Sequence, residues 1–131
     1  IAERNLAIMR EHRALAAPIE LVLGDATALA VPRGPLVVYL YHPFREPIAA
    51  QVVDRIVAAV AARPRPAAIL YGHPTLQRPL DEDVFCRGGL FRRQQVGARI
   101  TRNFQIGWSI WSNQDWLAEI PVARPALRMG A

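Results

Sequence analysis

The chain has 131 residues, of which 52% are hydrophobic, so it can bury a sizeable core as one globular domain at most. This composition excludes disordered and fibrous proteins. All 16 cationic residues are Arg and the formal charge is +5, but the arginines are dispersed, as a GC-rich coding bias would produce. The basic charge is therefore weak evidence for a nucleic-acid partner.

The cysteine content and the lengths of the apolar runs bear on the cellular compartment. The one cysteine, Cys86, can form no internal disulfide, so a reducing compartment is expected. No apolar run approaches the roughly 20 residues of a membrane span, and no signal-peptide pattern opens the chain. We therefore expect a soluble, cytoplasmic protein with no membrane partner.

The first predicted elements are a helix and two strands. An approximate apolar stripe predicts a helix over Ala2 to Leu15. Near-continuous apolar runs at Ile19 to Leu23 and at Leu36 to Tyr41 are typical of parallel strands that helices cover on both faces. In an open α/β sheet the ligand crevice lies outside the carboxyl ends of such strands, here residues 24–26 and 42–44.

The middle of the chain predicts a βαβ unit. Apolar residues recur at helical spacing between Glu46 and Arg63, and Ala67 to Tyr71 reads as a third strand. A strand, a long helix and a strand predict a parallel pair joined by a crossover. Four residues of the helix are expected to pack on the sheet: Val52, Ile56, Val57 and Val60.

The pattern changes after Thr75, where apolar runs shorten and polar residues interleave. Residues 81–87 predict a short helix or an irregular segment. Residues 90–102 are compatible with a strand, and Phe104 to Ser112 alternates large apolar with small or polar residues. Together they predict an antiparallel pair with one wet face, so the whole sheet is expected to be mixed. Residues 121–131 are expected to form a flexible tail.

The order of these elements resembles the carboxyl-terminal half of a class I S-adenosylmethionine-dependent methyltransferase. The resemblance rests on Ile-Glu-Leu-Val-Leu-Gly-Asp-Ala at 19–26, Val-Val-Tyr-Leu-Tyr-His-Pro-Phe at 37–44, Ile-Leu-Tyr-Gly-His-Pro at 69–74, the long helix and the terminal hairpin. Ala2 and Asn5 also match an Ala-x-x-Asn pattern that is frequent in the helix after the family's second strand. The resemblance implies a mostly parallel, Rossmann-like sheet flanked by helices, with a carboxyl-terminal antiparallel hairpin, as one partial domain over residues 1–131.

The resemblance also implies a binding site for S-adenosylmethionine. Asp25 follows the family's third strand, where a carboxylate accepts a hydrogen bond from the adenine amino group and the next backbone N–H, here that of Ala26, faces a ring nitrogen. By its own chemistry Asp25 can equally cap the following turn. His42, Pro43 and Phe44 match the end of the fourth strand, beside the transferred methyl group, so His42 and Pro43 are also expected to line the cofactor site.

His42 departs from the family pattern, because amino-directed methyltransferases usually have Asn or Asp, two prolines and an aromatic residue there. The departure counts against methylation of a nucleobase or glutamine amino group. His42 and Phe44 are the candidate catalytic residues, with His42 either a general base or a hydrogen-bonded histidine at a strand end. His73 is interpreted as structural and His12 as an exposed helix residue. The histidines lack the spacing of metal ligands, so no metal site is predicted.

Two cofactor motifs of the family do not occur in this sequence: a Gly-x-Gly turn after a strand, and an acidic residue at the end of a preceding strand that holds the ribose. The resemblance implies that both lie upstream of Ile1. We therefore expect a fragment of a methyltransferase, or a truncated one, that lacks the first part of its domain, is inactive alone and has an unknown methyl acceptor.

Two alternatives remain open. One is a non-catalytic α/β module that pairs or self-associates through an exposed sheet edge. The other, less favoured, is a nucleic-acid binder that uses basic and aromatic residues of the hairpin: Arg92, Arg93, Arg99, Arg102, Phe91, Phe104 and Trp108. The competing interpretation of the hairpin is that its arginines line a wet face while its aromatic residues fill the core.

Overall fold

The computed structural model describes residues 2–11, 18–102 and 105–114. One four-stranded open sheet, in the order β1-β2-β4-β3, organises a mixed α/β fold. None of the described helices is long and apolar enough to cross a membrane. The elements in chain order are α1 (Ala2–Glu11), β1 (Leu36–Tyr41), α2 (Glu46–Ala62), β2 (Ala67–Pro74), α3 (Glu82–Phe85), a 3-10 helix (Arg87–Gly89), β3 (Arg92–Ile100) and β4 (Gln105–Ser112).

The sheet combines one parallel and two antiparallel pairings. β1 and β2 run parallel, in a register that places Leu36 opposite Ala67 and Tyr41 opposite Gly72. β4 pairs antiparallel with β2 on one side and with β3 on the other. The predicted βαβ unit, the antiparallel hairpin and the mixed sheet are therefore confirmed. The prediction of a mostly parallel sheet is wrong, because the hairpin supplies half of the strands.

The predicted strand at Ile19 to Leu23 is also wrong. The segment pairs with no strand of the described sheet, and the side chain of Leu23 is completely exposed. A strand needs a neighbouring strand to satisfy its backbone N–H and C=O groups, and none of the described strands takes that place. An apolar run therefore favours a strand, but the strand forms only where a neighbouring strand pairs with it.

The other predicted elements agree with the structure where it describes them. Helix α1 covers the first part of the predicted helix at Ala2 to Leu15, of which residues 12–15 lie outside the described residues. Helix α3 lies within the predicted segment 81–87, and β4 covers the predicted strand except Phe104, which is not described. The predicted tail at 121–131 also lies outside the described residues.

Helix α2 packs on one face of the sheet. Pro47 lies in its first turn, where the missing N–H costs no hydrogen bond. The predicted contacts of Val52, Ile56 and Val60 are confirmed, since all three are buried in the core, and Val57 is partly buried against it. The fully buried Val53 extends the same stripe.

Side chains alternate across the strands, so the register defines two faces of the sheet. The covered face lies under α2, and its core residues are at most 9% exposed: Leu36, Leu40, Ile69, Tyr71 and Trp111. On the opposite face, Tyr39 is 64% exposed and Val37 is 60% exposed. We call this opposite face the open face; it carries Val37, Tyr39, Tyr41, Leu70, Ile106, Trp108 and Ile110.

Two arginines fix the loop that precedes β1. Arg55, on α2, donates hydrogen bonds of 2.6 and 3.0 Å to the carbonyl oxygens of Leu29 and Ala28. Arg65, which follows α2, donates a hydrogen bond of 2.7 Å to the carbonyl oxygen of Pro32. The loop is thus held at both of these points, although it has no strand or helix of its own.

Candidate functional site at the carboxyl ends of the parallel strands

The carboxyl ends of β1 and β2 lie side by side, because the two strands are parallel neighbours. His42 follows the last residue of β1, and its Nδ1 lies 2.5 Å from the hydroxyl oxygen of Tyr71 on β2. The ring of His73 stacks on the ring of Tyr71, with 5.6 Å between the ring centroids. The predicted site at 42–44 therefore includes two residues of β2.

The backbone of His42 has a positive φ of 41°, which non-glycine residues adopt rarely. Pro43 makes this conformation less favourable still, because a proline drives the residue before it towards extended backbone. Such strain persists where the surroundings fix it, and it is concentrated at functional sites. Here the bond to Tyr71 holds the side chain of His42, and the packing of Phe44 against the core holds the chain that follows it.

Tyr71 is held in place by its burial, its ring packing and a backbone hydrogen bond. Its side chain is 2% exposed, and its ring packs on that of Phe85 with 5.0 Å between centroids. Its hydroxyl oxygen accepts a hydrogen bond of 3.1 Å from the backbone N–H of Leu80. Burial raises the pKa of Tyr71, so the hydroxyl keeps its proton at neutral pH.

A pocket of about 150 Å³ lies on the covered face beside Tyr71 and His73, between β2, β4 and the segment that leads into α3. Glu82 and Arg93 form an ion pair in its lining, and the guanidinium of Arg93 lies 6.0 Å from the ring centroid of Trp111. Pockets that enclose small-molecule ligands usually measure about 300–1,000 Å³. This pocket alone is therefore too small for a nucleoside cofactor.

Asp25 caps its own turn. The backbone N–H and the hydroxyl of Thr27 both donate to Oδ1 of Asp25, each at 2.8 Å. These two hydrogen bonds lower the pKa of Asp25, the backbone bond most. The capping alternative is therefore realised in the structure. Oδ2 of Asp25 has no hydrogen-bond partner within the described part of the chain, so the predicted contact with adenine stays a prediction.

The structure brings the two predicted halves of the site only partly together. Ala26 and Phe44 both pack against the hydrophobic core. Across ranges 2–11, 18–102 and 105–114, however, no hydrogen bond or ion pair joins Asp25 or Ala26 to residues 42–44. The cofactor roles predicted for Asp25, Ala26, His42 and Pro43 are thus neither confirmed nor contradicted by these contacts.

The contact of Tyr71 with His42 is the feature that the sequence interpretation missed. The available signal was the parallel pair itself, because the register places Tyr71 opposite Leu40, two residues before His42. A tyrosine next to the end of a buried strand can reach the turn after its parallel neighbour. The interpretation of His73 as structural took no account of its stacking on Tyr71.

The hairpin does not gather its basic and aromatic residues on one surface. Phe91 is buried in the core, and Arg93, on the covered face, pairs with Glu82. Arg99 lies on the opposite face of the sheet, while Phe104 lies outside the described residues. Phe91 therefore fits the interpretation in which the aromatic residues fill the core, whereas Trp108, on the open face, does not.

Comparison of the chain with protein-family models, with curated proteins and with solved structures finds no match. Among the residues that the structure describes, no group of three or more His, Cys, Asp and Glu side chains could hold a metal ion.

Proposed function

We propose that this chain is the carboxyl-terminal half of a class I S-adenosylmethionine-dependent methyltransferase domain, with the methyl acceptor unidentified. The observation that carries the proposal is the turn at His42. A strained, non-glycine residue follows the carboxyl end of a parallel strand, is fixed by a buried tyrosine, and leads into Pro43 and Phe44. The carboxyl ends of parallel strands are where open α/β sheets bind their ligands.

The exposed segment Ile19 to Leu23 supports the proposal. Ile19, Leu21, Val22 and Leu23 are all exposed, although the run has the composition of a buried strand. Contact with the remainder of the proposed domain would bury these apolar side chains.

The loop at Asp25 and Ala26 has free groups of the kind that adenine requires. Oδ2 of Asp25 is an unengaged acceptor for an amino group, and the N–H of Ala26 donates to no acceptor within the described residues. Bound S-adenosylmethionine would supply an electrophilic methyl group, which we propose lies beside residues 42–44. The anchors for the ribose and the methionine moiety are not in this sequence.

The first experiment compares cofactor binding by two chains with calorimetry. The 131-residue chain should show no measurable binding of S-adenosylmethionine at sub-millimolar concentration. It lacks the glycine-rich turn and the ribose carboxylate, and each lost charge-assisted hydrogen bond costs about 1.5–3 kcal/mol. Two such losses weaken binding several hundredfold or more. The chain extended upstream through the preceding strands should bind. Tight binding by the shorter chain would contradict the fragment interpretation.

Two substitutions in the extended chain separate the roles of Asp25. Asp25→Ala removes both the turn cap and the carboxylate. Asp25→Asn keeps an oxygen for Thr27 but replaces the remaining acceptor with an amide donor. If the carboxylate binds adenine, both variants should weaken binding about tenfold or more, as loss of one charge-assisted hydrogen bond predicts. Unchanged binding by Asp25→Asn would leave Asp25 with the capping role alone.

A second candidate function is a non-catalytic α/β module that self-associates with a second copy of the chain. The open face favours it, because Val37, Tyr39 and Tyr41 are each about half-exposed or more, and contiguous exposed apolar surface often marks an interaction site. An extended chain that binds no S-adenosylmethionine, and yet elutes as a stable dimer, would support this candidate over the first.

A further inference from the structure

The hydrogen bonds of Tyr71 determine which nitrogen of His42 carries a proton. A neutral histidine has one N–H donor and one bare nitrogen acceptor, and its partners select the tautomer. A tyrosine hydroxyl has a single hydrogen to donate. The oxygen of Tyr71 already accepts the N–H of Leu80, so the direction of its own hydrogen decides the state of His42.

Within the described residues, the hydroxyl of Tyr71 makes one other hydrogen bond, to Nδ1 of His42 at 2.5 Å. A buried hydroxyl that donates to nothing loses the hydrogen bond that water would give it. Tyr71 is 2% exposed and therefore has no ready alternative in solvent. The arrangement that gives this hydroxyl an acceptor places its hydrogen on the line to Nδ1, and in that arrangement Nδ1 is the bare nitrogen of the neutral ring.

The remaining nitrogen, Nε2, then carries the proton. His42 is half-buried, and Nε2 has no hydrogen-bond partner in the part of the chain that the structure describes. The strained turn and the packing of Phe44 fix the position of the His42 backbone, and the bond to Tyr71 fixes the rotation of the His42 ring. Nε2 is therefore a positioned hydrogen-bond donor without an acceptor among residues 2–11, 18–102 and 105–114.

We infer that neutral His42 acts on a bound ligand as a hydrogen-bond donor through Nε2, and that the ligand group it contacts is an acceptor oxygen, such as a carboxylate or a carbonyl. The inference deepens the proposed function, on which it rests for the identity of the site: the methyl acceptor carries such an oxygen beside its reacting atom. It replaces the expectation of a general base, because a bare Nε2 would place the proton on Nδ1, which would then donate to the oxygen of Tyr71 and leave the hydroxyl hydrogen of Tyr71 without an acceptor.

The test is nitrogen NMR of the 131-residue chain labelled with ¹⁵N-histidine, recorded at a pH where imidazole is neutral, since protonated and bare ring nitrogens differ widely in chemical shift. The chain has three histidines, and His42→Gln identifies the resonances of His42 by their loss. The expected result is a protonated Nε2 and a bare Nδ1. A protonated Nδ1 with a bare Nε2 would overturn the inference.

Two tyrosine variants test the cause. Tyr71→Phe should move the nitrogen shifts of His42 towards a mixture of the two tautomers, while Tyr39→Phe, which changes an exposed tyrosine of the open face, should leave them in place. Unchanged shifts in Tyr71→Phe would overturn the assigned cause. If Tyr71→Phe fails to fold, the spectrum of the parent chain still decides the tautomer.

These outcomes are distinguishable from failure of the proposed function. The spectra need neither cofactor nor activity, so the tautomer is decided whether or not an extended chain binds S-adenosylmethionine. A bare Nε2 in an extended chain that binds the cofactor would refute the donor role of His42 and leave the proposed function standing.

Discussion

The two faces of the sheet come from the same strands and differ in what covers them. On the covered face Ile69 is fully buried and Trp111 is 2% exposed, whereas on the open face Tyr39 is 64% exposed. The apolar character of the two sets of residues is similar. The difference shows that helix α2, and not the composition of the strands, determines which side chains stabilise the fold. It also shows that the open face has the composition of an interface.

The largest expected effect tests the covered face. Ile56→Asp places a charge among the buried residues of α2, where no partner can neutralise it, and should cost at least about 4 kcal/mol. Ile48→Asp, on the same helix but 40% exposed, should cost less than about 1 kcal/mol. Urea unfolding of both variants checks the difference. A urea midpoint of Ile56→Asp equal to that of the parent would mean that Ile56 does not lie on the buried side of α2.

A smaller effect distinguishes the two faces through a pair of glycines. A Cβ on Gly107 would overlap the ring of His73 on the covered face, and a Cβ on Gly97 would lie 2.5 Å from Cζ2 of Trp108 on the open face. Overpacking costs about 1–3 kcal/mol where neighbours cannot move. Gly107→Ala should fall in that range, while Gly97→Ala should cost less, because Trp108 can shift into open space. Equal losses in denaturant midpoint would contradict the distinction.

The smallest effect is a pH dependence from an exposed ion pair beside the covered face. Arg87 donates hydrogen bonds of 2.6 and 2.8 Å to Asp54, and these bonds lower the pKa of Asp54 below its usual value of about 3.9. The pair therefore contributes stability at pH values above that usual pKa, and the contribution disappears as the pH falls through the lowered pKa. Asp54→Asn should reduce the acid-induced drop in urea midpoint slightly. Arg87→Gln should reduce it by the same amount, and different reductions would contradict the pairing.

Much of the fold was predictable from the sequence, because the local spacing of apolar residues determines most of its helices and strands. The helix with Val52, Ile56 and Val60, and the alternating strand that ends at Ser112, have periodicities that define both the element and its buried side. Ile19 to Leu23 has an equally strong apolar pattern, but it forms no strand in the structure. Strand formation also depends on a neighbour, and neighbours are set by topology that a short segment does not encode.

The position of His42 after a strand end was predictable from the sequence, whereas its hydrogen bond to Tyr71 was not. Placing His42 required only a strand end followed by a proline. Its tautomer depends on the Tyr71 hydroxyl, and so on the register of two strands and on a hydrogen bond from Leu80. A side-chain bond across 29 residues of sequence arises only once the sheet has formed.

The most direct test of the central claim is ultraviolet crosslinking of methyl-labelled S-adenosylmethionine to the upstream-extended chain, followed by tryptic mapping. The account predicts label on peptide 14–33, which contains Asp25, or on peptide 34–45, which contains His42, and loss of that label in the presence of excess S-adenosylhomocysteine. Label confined to hairpin peptides, or label that S-adenosylhomocysteine does not displace, would contradict a cofactor site at the carboxyl ends of these strands.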